Sequence, residues 1–150
     1  MAESPELLQA YLSISELIDK TSFSPTERQI VLITASYVNN CDYCVAAHSV
    51  ISSVQNVPNE IVAALRENRP LSDGKLEALR KFAYAAVGKR GFIAEEEKQN
   101  FLAAGYTNRN ILEVILAAGL KTLSNYTNHI AETELDPAFE TARWKKAAAA

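Results

Sequence analysis

Residues 24–49 read SPTERQIVLITASYVNNCDYCVAAHS, and this stretch decides the fold. It opens with a helix start: Ser24 is a good N-cap, Pro25 suits the first helical position, and Glu27 completes a capping box. Positions suited to a buried helix face then follow at helical spacing, namely Ile30, Val31, Thr34, Ala35 and Val38. The stretch therefore predicts a helix that ends near Val38, followed by a second helix that carries two cysteines.

The rest of the chain repeats this pattern of capped, amphipathic segments. Further helix starts are predicted at Ser4-Pro5-Glu6, Pro58, Ser72, Glu95-Glu96-Glu97 and Thr107, and helix ends at Gly88 or Gly91 and at Gly105. No segment shows a sustained period of two with β-branched enrichment, so no strand is predicted. The sequence therefore predicts an all-α fold, a single-domain multi-helix bundle over residues 1–137 with a C-terminal tail at residues 138–150.

Composition places the chain among soluble globular proteins. Of its 150 residues, 48% are apolar and 22% are charged, with a net charge of −3. No basic stripe with interleaved aromatic residues is present, so no nucleic-acid partner is expected. The most apolar stretch, residues 111–123, is interrupted by Glu113 and Lys121 and is too short to span a bilayer, so no membrane partner is expected. The N-terminus is acidic and shows no signal peptide, and a cytoplasmic location is expected.

The last long helical segment is apolar around much of its circumference, which indicates burial on several sides. Its apolar positions are Ile111, Leu112, Ile115, Leu116, Gly119, Leu120 and Leu123. Two explanations are available. Either the segment is the central helix of the bundle, or part of it contacts another subunit.

The only two cysteines, Cys41 and Cys44, are three residues apart, and His48 follows four residues later. A disulfide between them would close too short a loop to constrain the unfolded chain, so local redox chemistry or metal binding is indicated. With Asn39 and Asn40 as candidate N-caps, both cysteines would lie in the first turn of a helix, where free amide groups and the helix dipole favour a thiolate. His48 faces the same side and is a candidate to relay a proton or to pair with that thiolate.

Two other interpretations of the cysteine pair compete with redox chemistry. Both residues can be ordinary buried thiols, because free cysteine behaves as a small hydrophobic side chain. Zinc is disfavoured, because Cys41 and His48 would be about 10 Å apart along one continuous helix, whereas zinc ligands lie ~2.0–2.3 Å from the metal. The only other histidine, His129, would have to complete such a set.

Several of these motifs together resemble a known family. The segments SPTERQI at 24–30, CDYCVAAHS at 41–49, AAGY at 103–106 and Asn128-His129 followed by ELDP at 134–137 resemble the alkylhydroperoxidase D-like family, also called the carboxymuconolactone decarboxylase family. The resemblance covers roughly residues 5–137, and C-x-x-C-x-x-x-H is its most specific part. It implies an all-α fold, assembly as trimers or hexamers, and no organic or metal cofactor.

The resemblance also implies reduction of hydroperoxides by the cysteine pair. Cys44 would be the peroxidatic thiolate, Cys41 would resolve its sulfenic acid as a Cys41–Cys44 disulfide, and His48 would belong to the proton relay. The residues alone favour the same order, because Cys44 is the cysteine one turn from His48. The implied partners are a hydroperoxide substrate and an external dithiol that reduces the disulfide.

Three further positions have supporting roles in this interpretation. Active family members carry a glutamate twelve residues before the first cysteine, where this chain has Gln29, which can orient a neighbour but cannot take up a proton. Tyr43 replaces a histidine that some members have between the cysteines, and packing is its favoured role. His129 is expected either to approach the site from the last helix or to be structural. Slow turnover is expected because of Gln29.

Two other functions are compatible with the sequence. A lactone decarboxylase of the same family needs an acid/base pair to manage a carbanion and has no evident use for vicinal cysteines. A helical oligomer whose cysteines sense redox state or exchange disulfides, without peroxide turnover, gains some support from Gln29. Loss of activity on thiol alkylation separates a thiol peroxidase from the decarboxylase.

Overall fold

The computed structural model describes residues 1–147 and is about 70% helical. Its seven α-helices are α1 (Pro5–Asp19), α2 (Pro25–Val38), α3 (Asp42–Val54), α4 (Asn59–Arg66), α5 (Gly74–Gly88), α6 (Glu95–Ala103) and α7 (Asn108–Ile130), and a 3₁₀ helix spans Pro137–Ala142. These described residues contain no strand, so the predicted all-α fold is confirmed. None of the described helices is long and apolar enough to cross a membrane.

The helix starts follow local capping chemistry. The predicted N-caps of three helices are confirmed, because each side chain accepts a hydrogen bond from an amide of its own first turn: Ser4 in α1, Ser24 in α2 and Thr107 in α7. The predicted cap of α5, Ser72, is wrong by one residue. Asp73 takes that position instead, and its carboxylate accepts the amide of Leu76 at 2.9 Å.

α2 is the central helix of the bundle. It packs against α3, α4, α5 and α7, and its residues Ile30 and Val31 are almost completely buried. Nearby, the ring of Phe101 stacks between Phe82 and Tyr106, with centroids 4.3 and 4.5 Å away. Burial of this apolar surface is the dominant favourable term in folding, and it holds α3 and α7 against α2 and against each other.

α7 is buried on one face only. Its inner face packs against α1, α2, α3 and α5, and Val114, Ala117 and Leu120 belong to the core. Its outer face exposes large apolar side chains, with Leu112 66% and Ile130 86% exposed. The sequence left two explanations for the apolar circumference of this helix. The first, that it is the central helix of the bundle, is therefore wrong.

The C-terminal segment packs back onto α3 and α4. The ring of Phe139, in the 3₁₀ helix, meets Tyr43 edge-on at 5.8 Å between centroids. The Arg66 guanidinium donates to the carbonyl of Ala142 at 2.9 Å, and the Trp144 indole donates to the carbonyl of Arg66 at 2.9 Å. The described part of the tail thus forms one wall around the N-terminus of α3.

Candidate active site

A tight connection between α2 and α3 places both cysteines at the start of α3. Cys41 is the N-cap of α3, and Cys44 is the third residue of the helix, so both lie in its first turn. The prediction that Asn39 or Asn40 caps this helix is wrong. Asn39 ends α2, and Asn40 has a φ of 62°, a left-handed turn conformation that asparagine tolerates better than most residues.

Cys41 and Cys44 are not joined by a disulfide, and they are 1% and 3% exposed. The Cys41 thiol donates a hydrogen bond to the Cys44 sulfur, which lowers the pKa of Cys44 to about 5 although burial opposes ionisation. The same hydrogen bond, together with burial, raises the pKa of Cys41. At neutral pH the pair therefore holds a thiolate on Cys44 and a thiol on Cys41. Within residues 1–147, no three His, Cys, Asp or Glu side chains cluster closely enough to hold a metal ion.

Side chains of α7 also stabilise the Cys44 thiolate. Lys121 is 2% exposed, and its positive charge lowers the pKa of Cys44. Asn128, two turns further along, has its side-chain nitrogen 3.3 Å from the Cys44 sulfur and 4.0 Å from the Cys41 sulfur. A nearby cation and a donated hydrogen bond both favour the ionised form of a thiol, so α7 completes the environment that α3 begins.

His48 bridges Lys121 and Gln29. Its Nε2 lies 3.0 Å from Lys121 Nζ, and its Nδ1 lies 2.9 Å from Gln29 Oε1. Because an ammonium group can only donate, Nε2 accepts from Lys121 and the Nδ1–H donates to Gln29. Burial and the Lys121 charge hold the pKa of His48 well below its usual value, so the ring is neutral. In the described part of the chain, no hydrogen bond joins His48 to either cysteine, and Lys121 is the side chain that interacts with both His48 and Cys44.

Gln29 is buried, and both ends of its amide are paired. Its oxygen accepts from His48, and its nitrogen donates to Gln55 Oε1 at 3.0 Å. The hydrogen bonds therefore run in one direction, from Lys121 through His48 and Gln29 to Gln55. Glutamine in this chain fixes the orientation of the His48 ring and takes up no proton.

The two cysteines face different openings. Cys44 lines a cavity of about 530 Å³ between α1, α2, α3 and α7. The wall of this cavity includes the apolar side chains of Leu32, Ile51 and Leu120 and the aromatic rings of Tyr11, Tyr43 and Phe139. Cys41 borders a separate cleft of about 210 Å³, which His129 also lines. The larger cavity, beside Cys44, is of the size that small organic ligands occupy.

Tyr43 and His129 lie at the edges of this arrangement. The Tyr43 hydroxyl donates to Asp136 Oδ2 at 2.5 Å, and burial together with that carboxylate raises the pKa of Tyr43 to about 12. The ring of Tyr43 packs against Phe139. His129 is exposed on α7, and its side chain forms no hydrogen bond within residues 1–147. The structure therefore leaves His129 at the rim of the cleft beside Cys41.

Sequence reasoning did not identify Lys121 and Asn128 as site residues. In the sequence, Lys121 only interrupts an apolar segment. A signal is nevertheless present, because Lys121, Asn125 and Asn128 recur at helical spacing on the face that also carries the core residues Val114, Ala117 and Leu120. Buried polar groups require partners, and a stripe of this kind indicates a site on the facing helix.

Comparison with known proteins gives a family match over more than half of the chain. The model of the carboxymuconolactone decarboxylase family matches residues 5–86, a range that contains α1 to α4, most of α5 and the whole cysteine motif. No curated protein has a significant sequence match to the chain.

Solved structures share the fold. The debrominase Bmp8, in a cysteine-to-alanine variant with bound 2,3,4-tribromopyrrole, has a TM-score of 0.82 at 19% identity, covering 95% of this chain and 77% of that chain. An uncharacterized peroxidase-related protein from Ralstonia eutropha, with an alkylhydroperoxidase AhpD core, has a TM-score of 0.81 at 18% identity, covering 97% of this chain and 79% of that chain. A peroxidase-related protein from a Silicibacter species has a TM-score of 0.77 at 18% identity, covering 88% of this chain and 71% of that chain. At these identities the likeness establishes the fold alone.

Proposed function

The chain belongs to the carboxymuconolactone decarboxylase family, and from this premise we propose that it is a thiol-dependent antioxidant enzyme that reduces hydroperoxides with Cys41 and Cys44. The observation that carries the proposal is the Cys44 thiolate, which lies in the first turn of α3 and lines a cavity of small-molecule size. The thiolate, and not the thiol, is the nucleophilic form of cysteine, and this site favours it at neutral pH.

In the proposed reaction the Cys44 thiolate attacks the terminal oxygen of the hydroperoxide, and the O–O bond breaks. The electron pair leaves on the alkoxide, which takes up a proton, and Cys44 becomes a sulfenic acid. The Cys41 thiol then attacks the Cys44 sulfur, water leaves, and a Cys41–Cys44 disulfide forms. Cys41 already donates a hydrogen bond to Cys44, so the resolving step needs only a small movement within the first turn of α3.

An external dithiol completes the proposed cycle. It attacks Cys41, because the displaced thiolate is then Cys44, whose pKa is the lower of the two, and a thiol of lower pKa leaves faster. The cleft beside Cys41, with His129 at its rim, offers the dithiol an approach separate from the cavity at Cys44. The second thiol of the reductant then displaces Cys41. The expected cytoplasmic location would keep such dithiols reduced.

His48 and Gln29 are positioning residues in this proposal. Gln29 holds His48 in the tautomer whose Nε2 accepts from Lys121, so the ammonium group is directed towards the Cys44 side of the cavity. Tyr43 has a structural role, because its bond to Asp136 ties the C-terminal segment to the start of α3.

The proposal is tested by following cumene hydroperoxide consumption by the reduced protein with excess dithiothreitol. Sustained turnover is expected, and prior alkylation with iodoacetamide is expected to abolish it, because the nucleophile is then blocked. A protein that forms the disulfide with an oxidant yet does not turn over hydroperoxide would contradict the proposal and favour a redox sensor. A lactone decarboxylase would instead keep its own activity after alkylation.

We also propose that the chain assembles as a homo-oligomer, a trimer or hexamer, through the outer face of α7. This face exposes Leu112, Ile115, Tyr126 and Ile130 along one side of the helix, and large apolar side chains exposed on one face mark candidate interaction sites. Sedimentation equilibrium is expected to give a multiple of the 16.5 kDa chain mass. A monomer at every concentration would contradict this.

A further inference from the structure

Lys121 is a buried cation without a carboxylate partner. Its side chain is 2% exposed, and it projects from the middle of α7. Among the described residues it forms no ion pair with an Asp or Glu. Its Nζ donates a hydrogen bond to Nε2 of the neutral His48 at 3.0 Å. A buried charge needs a counter-charge nearby, because its lost hydration is otherwise uncompensated.

The counter-charge is the Cys44 thiolate. The other titratable side chains that line the same cavity are those of Tyr11 and Asp19 from α1, Arg28 from α2, and Tyr43 and His48 from α3. Asp19 and Arg28 face each other, 3.8 Å apart. Burial and the Cys44 charge raise the pKa of Tyr11, so its hydroxyl is neutral. Cys41, outside the cavity, is a thiol. The negative charge that Lys121 meets inside the protein is therefore the one on Cys44.

From this geometry we infer that Lys121 is a catalytic acid, which gives its proton to the alkoxide released when Cys44 attacks a hydroperoxide and stays neutral while the disulfide exists. The identity of the proton acceptor rests on the proposed function. The physical reason is that oxidation removes the thiolate charge, and an ammonium group would then be left alone in a buried site. The neutral amine keeps its hydrogen bond to His48, because an amine N–H still donates.

Protons and electrons balance over the cycle. The reduced site holds the Cys41 thiol, the Cys44 thiolate and the Lys121 ammonium. A hydroperoxide, ROOH, accepts two electrons from the pair and leaves as ROH and water, and the two protons required come from Lys121 and Cys41. A dithiol then returns two electrons and two protons, of which one goes to Cys41 and the other to Lys121. The relay therefore needs no carboxylate at position 29.

The test measures the midpoint potential of the Cys41–Cys44 disulfide against dithiothreitol buffers from about pH 6 to about pH 8, above the pKa of Cys44. Ultraviolet absorbance of the thiolate is followed on the same sample. If Lys121 loses its proton on oxidation, two protons accompany two electrons and the midpoint potential falls by about 59 mV per pH unit, so the exchange constant with dithiothreitol, itself a two-proton couple in this range, does not change with pH. If Lys121 keeps its proton, the midpoint potential falls by about 30 mV per pH unit and the exchange constant changes about tenfold. The two-proton slope is expected, with Cys44 ionised throughout.

Two variants separate the charge of Lys121 from its proton. Lys121→Arg keeps a positive charge that cannot be lost, so Cys44 is expected to stay ionised while the slope falls to about 30 mV per pH unit. Its single-turnover rate with cumene hydroperoxide is expected to fall about 100-fold, a typical loss for a general acid. Lys121→Met removes the charge with little change in side-chain length and is expected to raise the pH at which Cys44 ionises.

Three results would each overturn the inference. The first is a wild-type midpoint potential that changes by only about 30 mV per pH unit, the slope for one proton. The others are a slope that is unchanged in Lys121→Arg, or a Cys44 that is not ionised at neutral pH. The potential is measured without hydroperoxide, so it is independent of the proposed function. A two-proton slope in a protein that does not turn over hydroperoxides would contradict the proposed function and support the proton coupling. Hydroperoxide turnover with a one-proton slope would support the proposed function and contradict the proton coupling.

Discussion

Cys44→Ser is expected to abolish the reaction with hydroperoxide, with the single-turnover rate falling by about three orders of magnitude or more. A serine hydroxyl is not ionised at neutral pH, and it cannot form the sulfenic acid through which the proposed reaction passes. Stopped-flow mixing of the reduced variant with cumene hydroperoxide, followed by product analysis, measures the loss.

Cys41→Ser is the matched control, because it removes the other sulfur of the pair by the same change. This variant is expected to consume one hydroperoxide per chain and then to stop, with a sulfenic acid on Cys44 that dimedone traps for mass spectrometry. Cys44 is expected to stay ionised in this variant, since the serine hydroxyl can donate the hydrogen bond that the Cys41 thiol gives. A reactive Cys44→Ser and an inert Cys41→Ser would reverse the assigned roles of the two cysteines.

The pH dependence of alkylation gives the second large effect. Iodoacetamide reacts with thiolates, so its rate with Cys44 is expected to stay level from about pH 8 down to about pH 6 and to halve near a pH of about 5. An ordinary thiol with a pKa of ~8.5 would slow about 75-fold between pH 8 and pH 6. The pH dependence of the rate is the evidence, and not its absolute value, because a thiolate of low pKa is also a weaker nucleophile. Mass spectrometry after partial reaction identifies the labelled cysteine.

Asn128→Leu tests the same interpretation from α7. It removes the hydrogen bond to the Cys44 sulfur, and hydrogen bonds to charged groups contribute about 1.5–3 kcal/mol. The midpoint of the alkylation profile is therefore expected to rise by roughly one to two pH units. A wild-type profile with its midpoint above about pH 8 would show that Cys44 is an ordinary thiol.

The helices could be predicted well because their signals are local. Ser24 and Thr107 cap their helices through residues three positions away, and the first-turn position of the cysteines follows from the same short-range chemistry. The errors were also local. Asp73 displaced Ser72 as the cap of α5, and Asn40 supplied a left-handed turn where a cap was expected.

The α7 part of the site could not be predicted in the same way, because it depends on packing between distant segments. Lys121 lies 73 residues from His48 in the chain, and Asn128 lies 84 residues from Cys44. Periodicity places both residues on one face of a helix but does not say which helix that face meets. The contact of Phe139 with Tyr43 is a similar case, since nothing local indicates that the C-terminal segment folds back onto α3.

If Cys44 is a peroxidatic thiolate resolved by Cys41, one equivalent of cumene hydroperoxide oxidises both cysteines of the reduced protein in a single turnover. Thiol counting and peptide mapping after such a reaction are expected to show rapid loss of both thiols of each chain and a Cys41–Cys44 disulfide. Thiols that oxidise no faster than free cysteine would show that the assignment of these two cysteines is wrong.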